Sequence, residues 1–263
     1  MRAIFVVGTG RSGTHFTTRL LNGFKNINDP QKGREHPRIL KDVAQAAIHH
    51  KLPSSTTENY YREHISKDGP IFLDQHHPNL FFTQHWSKKF EGITFIYPNR
   101  PTHQVVASML RHQGVMEWYK YATNWKHRLR YSKGCGRPFL TPPPFPNLFL
   151  GIENSAEIRD LPIHLLCARR VIAHRLAYIR AGKDINSDMR SINYENLVGD
   201  PEKEFSRVFS NDEIEALGSF ERREIPERGS LSKFREILND KEVFEISEME
   251  RTLLHKYGGD FMR

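Results

Sequence analysis

Cysteine is nearly missing from this 263-residue chain: Cys135 and Cys167 are the only two. They stand in unrelated contexts, which excludes a disulfide framework and a zinc site built on paired cysteines. Long apolar runs are missing as well. No stretch reaches 18 apolar residues, so no membrane-spanning helix is expected. A secretory leader is not visible, because an apolar strand-like run begins two residues after Met1; a cytoplasmic protein is expected. Zinc-finger spacing, an RNA-recognition signature, an isolated basic tail, internal repeats and low-complexity segments are all absent. Negative charge is the scarcer sign. Lys and Arg number 39 against 31 Asp and Glu, a formal net charge of +8, with 14 His besides. Such a balance suits an anionic partner. The Arg and Lys residues are scattered, which favours a multiply charged nucleotide over nucleic acid.

What is present is concentrated near the start, in residues 3–24. Ile4-Phe5-Val6-Val7 is apolar without alternation and reads as a strand buried on both faces. Gly8, Gly10 and Gly13 then bracket Thr9, Arg11, Ser12 and Thr14, and Phe16, Leu20, Leu21 and Phe24 fall on one face of a helix. A strand, a glycine-rich turn and a helix set backbone N–H groups and a helix N-terminus against an anion, usually a phosphate. Gly8 and Gly13 have Walker A spacing, but Thr14 and His15 stand where that loop needs Lys and then Ser or Thr. The loop therefore lacks the handles of a nucleoside triphosphatase or P-loop kinase. A dinucleotide fingerprint, GxGxxG, also fits Gly8, Gly10 and Gly13, yet no strand ending in an acidic residue follows at the right distance.

Along the chain, helices are expected at residues 40–52, 57–66, 78–90 and from Pro101, with strands at 70–74, 93–97 and 189–194. An aromatic, basic helix is expected over residues 116–130, a stiff Gly/Pro-rich loop to Pro146, a long helix over 155–182, and a helical tail at 231–239 and 243–257. Strands alternating with helices imply an α/β fold, a parallel sheet with helices on both faces, in one domain spanning 1–263. Arg100 ends a buried strand, where ligands of open α/β sheets bind. Its planar fork suits phosphate, and Ser108 stands two turns into the next helix.

The stretch GTGRSGTHFTTRLL resembles the 5′-phosphosulfate loop of sulfotransferases that use 3′-phosphoadenosine 5′-phosphosulfate (PAPS), in the "RSGT" variety. Arg100 followed eight residues later by Ser108 is similar to that family's 3′-phosphate motif, with Pro101 and Gln104 as departures in its interior. Tyr194-Glu195-Asn196-Leu197, ahead of Asp200-Pro201, looks like the family's "YEDL…DP" segment, whose Tyr packs near the adenine. Arg228 and Gly229 resemble a basic-Gly stretch that closes over the 3′-phosphate. The resemblance implies a P-loop-like α/β fold and nucleotide contacts from Gly10, Arg11, Ser12, Gly13, Thr14, His15, Arg100, Ser108, Tyr194, Arg228 and Gly229. It also implies release of 3′-phosphoadenosine 5′-phosphate (PAP), a hydroxyl-bearing acceptor and no metal.

Sulfuryl transfer needs stabilised non-bridging oxygens and a base for the acceptor hydroxyl. Arg11 is the candidate for the first. For the base, the resemblance offers two rivals: Glu35, in a Gly-x-Glu context after the first helix, and His77 or His76, where other members carry "K-T-H". Gln75 here occupies the position of that Lys. Two alternatives stay open: a P-loop-type nucleotide kinase or NTPase, which would need Mg²⁺ and prefer a triphosphate, and a non-catalytic basic protein that binds nucleotide or nucleic acid through a degenerate phosphate loop. Oligomeric state and acceptor are silent in the sequence.

Overall fold

The computed structural model describes residues 1–65, 69–123, 161–222 and 231–258. These group into two compact units, one of residues 1–43, 53–100 and 177–230, the other of 44–52, 101–176 and 231–263. The first holds a five-stranded sheet with strand order β2-β3-β1-β4-β5. Its strands are β1 (Ala3–Val6), β2 (Ile27–Asn28), β3 (Ile71–Asp74), β4 (Ile93–Asn99) and β5 (Asp188–Asn193), and every pairing is parallel. The arrangement is a P-loop-like α/β fold.

β1 is central and buried at every residue, which is why it reads as an unbroken apolar run. Successive side chains of a strand point to opposite faces, and two cores result. Ile4 and Val6 pack with Leu20, Leu21 and Phe24, and with Leu197, Phe205, Phe209 and Leu217. On the opposite face Phe5 meets the rings of Tyr61, Phe72 and Phe95 at centroid distances of 4.9, 6.3 and 5.7 Å. Trp86 closes on Tyr61 at 4.9 Å. Helix α1 (Thr14–Leu21) supplies Leu20 and Leu21 to the first core. Helix α2 (Pro37–Ile48) starts with its proline at the first helical position, where the missing N–H costs nothing. Tyr61 comes from helix α3 (Ser55–His64) and Trp86 from helix α4 (Thr83–Lys89).

The second unit is helical among its described residues. Val105, Val106 and Met109 of α5 (Thr102–Leu110) and Tyr119 of α6 (Gln113–Thr123) share a core with Leu166, Cys167, Val171 and Ile246. Burial pushes the Cys167 thiol up to about 12, so it is a core side chain and not a nucleophile.

Several local expectations are corrected. Residues 78–90 divide into a 3₁₀ helix (His77–Phe82) and α4. The helix expected at 231–239 is only the 3₁₀ turn Lys233–Glu236. Three helices follow β5 without having been anticipated, Tyr194–Gly199, Pro201–Val208 and Asn211–Leu217. Each starts on a capping side chain, Asn193, Asp200 and Ser210, the last in a reciprocal capping box with Glu213. The Pro-rich loop, Cys135, Trp125, Arg228 and Gly229 lie outside the described residues.

Replacing Phe5 by Ala removes the one ring that touches all three aromatic neighbours. The expected loss is about 3–5 kcal/mol of unfolding free energy, read from the midpoint of urea denaturation.

Candidate functional site

Parallel strands deliver their carboxyl ends to one edge of the sheet, so the residues just past β1, β3, β4 and β5 become neighbours. Past β1, the backbone turns through Gly8 at φ 147°, Arg11 at φ 78° and Gly13 at φ 108°. Arg11 holds a left-handed conformation that a non-glycine residue seldom adopts, the kind of local strain that clusters at ligand clamps. Gly13 is the N-cap of α1. A Cβ there would lie 2.4 Å from Cε2 of Tyr194, so only glycine lets the Tyr194 ring pack on the turn. The first three N–H groups of α1 precede its first intrahelical bond, from the Thr17 N–H to the Gly13 carbonyl at 2.9 Å.

The hydroxyls of Thr9, Ser12 and Thr17 are buried here without a hydrogen-bond partner, and so are both amide atoms of Gln75. Gln75 follows β3 directly; by strand alternation it continues the side of Ile71 and Leu73, which pack with α1. Leaving such groups unpartnered costs about 1–3 kcal/mol each. In the sequence Gln75 stands out only as the residue in place of a Lys; its burial is a property that sequence does not display.

Past β4 and β5, the Asn99–Asn193 pairing sets Arg100 beside Tyr194. The Arg100 guanidinium carbon lies 4.5 Å from the centre of the Tyr194 ring, and its Nη1 donates to the Arg11 carbonyl at 3.5 Å. Tyr194 also meets Phe16 edge-on at 5.8 Å. Burial lowers the Arg100 pKa, Tyr194 opposes that, and Arg11 adds to the lowering. Burial likewise lowers the Arg11 pKa. Two cations that disfavour each other on one edge are relieved by an anion between them. Ser108 lies on α5 and belongs to the second unit.

Past β3, the candidate bases converge. His77 Nδ1 donates to Glu35 Oε1 at 2.7 Å, and His15 Nε2 lies 3.8 Å from Glu35 Oε2. The two rivals of the sequence reading are thus hydrogen-bonded to each other. The loop that carries Glu35 is shaped by Asp29, which accepts from Asn22 Nδ2 at 2.6 Å, Gln31 N–H at 2.9 Å and Gly33 N–H at 2.5 Å. Gly33 takes φ 76° to make that turn. Burial raises the Glu35 pKa, but His77, His15 and His76 together outweigh it and hold the carboxyl below 4.5. His76 differs from its neighbour. It is 1% exposed, with Nδ1 donating to Asp74 Oδ1 and Nε2 accepting from the His36 N–H. Both ring nitrogens are therefore engaged inside the protein.

Among the described residues no group of three or more His, Cys, Asp or Glu is placed to hold a metal ion, and no helix is long and apolar enough to cross a membrane.

No protein-family model matches the sequence, and none of the curated proteins does. Solved structures do match. The sulfotransferase from Alicyclobacillus acidocaldarius is 13% identical, with a TM-score of 0.52 over 99% of this chain and 95% of that one. The sulfotransferase domain from the curacin biosynthetic pathway is 13% identical, with a TM-score of 0.49 over 94% and 96%. The first of these likenesses shows a shared fold.

Because the folded-state pKa of Glu35 lies below its ordinary value, its stabilisation is present above that value and is lost as pH falls through the folded one. Glu35→Gln is therefore expected to be less stable than the native chain at neutral pH. The difference should shrink below pH 4.5, as urea unfolding across pH will read.

Proposed function

We propose that the protein is a sulfotransferase that moves a sulfonate group from PAPS to a hydroxyl of a small-molecule, lipid or carbohydrate acceptor, releasing PAP. The observation that supports this most directly is the edge of the sheet around Gly8 to Gly13. There the glycine turn and the unbonded first N–H groups of α1 lie beside two guanidiniums, Arg11 and Arg100, which are linked through the Arg11 carbonyl. The fold shared with a sulfotransferase supports it independently. A Walker-type triphosphatase is disfavoured by Thr14 and His15, which replace the Lys and the metal-binding hydroxyl.

PAPS supplies an activated sulfonate on a good leaving phosphate, so the protein has little covalent work to do. In this reading the Gly10–His15 turn and the α1 N-terminus hold the 5′-phosphosulfate end, and Arg11 takes up charge on the sulfonate oxygens. Arg100 receives the 3′-phosphate, Tyr194 forms the wall against which Arg100 lies, and Ser108 remains a candidate for that phosphate on the resemblance alone. Arg228 and Gly229, outside the described residues, stay candidates for the nucleotide on the resemblance alone. Glu35 takes the acceptor proton. His77 donates to one carboxylate oxygen, keeping the group ionised and aimed, and leaves the other oxygen for the incoming hydroxyl. His76 is unsuited to the task, since both of its ring nitrogens are occupied and it is buried. The whole chain is read as one sulfotransferase domain that acts without a metal.

Thermal stabilisation by PAP, beside AMP, ATP with Mg²⁺, and NAD, tests the donor. A shift with PAP alone is expected; a shift with ATP–Mg²⁺ or NAD and none with PAP would sink the proposal. Arg11→Ala and Arg100→Ala should each weaken PAP binding about tenfold or more, as loss of a charge-assisted contact does. Glu35→Gln should keep PAP binding and lose turnover, whereas normal turnover there with loss in His77→Ala would move the base to His77. Gln75→Leu has an unusual signature. It should raise the melting temperature of the free protein, by removing an unpartnered buried amide, and diminish the PAP-induced shift. A lowered melting temperature with an undiminished PAP shift would remove Gln75 from the site.

A further inference from the structure

We propose that His76, held by Asp74, is the residue that positions Glu35, acting through the backbone of His36. The site itself does not use His76, and its burial calls for another account. The side chain is 1% exposed, and so is that of Asp74. Asp74 accepts from the His76 N–H at 3.0 Å and from its Nδ1 at 2.5 Å, with Asn79 Nδ2 a third donor at 3.0 Å. A carboxylate on Nδ1 fixes the proton there, which leaves Nε2 an acceptor. Nε2 then receives the His36 N–H at 2.9 Å.

His36 follows Glu35 directly and immediately precedes α2, its carbonyl accepting from the Leu40 N–H at 2.9 Å. Its own N–H lies outside that helix's bonding pattern and would otherwise go to solvent. The bond to His76 thus anchors the peptide next to Glu35 to the buried end of β3. His77, the partner of Glu35, leaves the same strand end one residue later. One short segment, Asp74 to His77, therefore fixes both members of the Glu35–His77 pair, one through its side chain and one through the neighbouring backbone. Behind it the anchor is braced: Asn79 Nδ2 also donates to the Tyr61 hydroxyl at 2.6 Å, and Trp86 Nε1 donates to Asn79 Oδ1 at 2.9 Å. Tyr60 and Tyr61 flank the imidazole at 6.3 and 6.5 Å. His76 touches no reacting group in this scheme; it is a positioning residue. The proposal rests on the sulfotransferase reading only for the role of Glu35, and its geometry stands apart from that reading.

The test uses the full chain labelled with ¹⁵N and with ¹³C at Glu carboxyls. In the native protein the His36 amide should exchange slowly with solvent, and the Glu35 carboxyl should titrate below 4.5. His76→Phe keeps a ring but has no acceptor. It should speed exchange at His36 by about tenfold or more and move the Glu35 titration upward, as His77→Ala should. His76→Gln restores a side-chain acceptor and should bring both readouts back toward native. Unchanged His36 exchange and Glu35 titration in His76→Phe would overturn the proposal, as would a His76→Gln protein that behaves like His76→Phe. If His76→Phe does not fold, exchange of the native His36 amide at the rate of an open loop overturns it without any variant. A missing PAP shift beside intact coupling of His76, His36 and Glu35 would count against the proposed function and leave this inference standing.

Discussion

The Gly8 N–H donates to the carbonyl of His77 at 3.0 Å, and the site depends on that bond. It joins the first residue of the glycine turn to the residue that holds Glu35. β1 and β3 are already parallel neighbours, paired Phe5 to Asp74 at their last rung. The bond carries that register past the sheet into the loops. The glycine turn and the Glu35–His77 pair, to which anion binding and proton transfer are proposed to belong, are thereby built on one backbone frame, where small errors in distance matter most. Arg100 enters the same frame from the other neighbour of β1, through the Arg11 carbonyl.

Polar groups at this edge divide into two kinds, and the division separates support from reception. Asp29, Asp74, His76 and Asn79 have their donors and acceptors satisfied within the protein. They shape loops, and a fully satisfied network of this kind is rigid. Thr9, Ser12, Thr17 and Gln75 are buried with nothing to bond, which a fold tolerates where a ligand supplies the missing partner. In the proposed reading the second kind lies at the nucleotide end of the site, and the first gives that end its shape.

Much of the scaffold was legible in the chain. β1, the turn and α1 follow from an unbroken apolar run, three spaced glycines and a helical stripe, signals strong enough to survive tertiary context. Arg100 at a strand end and Tyr194 ahead of an Asp-Pro pair were also visible. The helices after β5 were not read, although Asn193, Asp200-Pro201 and Ser210 with Glu213 are ordinary start signals. Their helices are short, and short apolar stripes do not announce a period. The two-residue strand β2 escaped for the same reason, since Ile27–Asn28 is too brief to show alternation.

At the site the boundary lies elsewhere. Sequence by itself determined residue types and their places on elements: a glycine-rich turn without a Walker lysine, an arginine at a strand end, and a glutamate and two histidines in loops at the ends of strands. It presented Glu35 and His77 as competitors, because 42 residues separate them and spacing says nothing about contact across that gap. It likewise gave two adjacent histidines equal standing. Only the tertiary structure decided that Glu35 meets His77 and that His76 turns inward to Asp74. The physical reason is that the backbone leaves the strand between them: His76, at the start of the 3₁₀ helix, returns its ring to the Asp74 carboxylate at the end of β3, while His77, the first residue of that helix, meets the loop that carries Glu35.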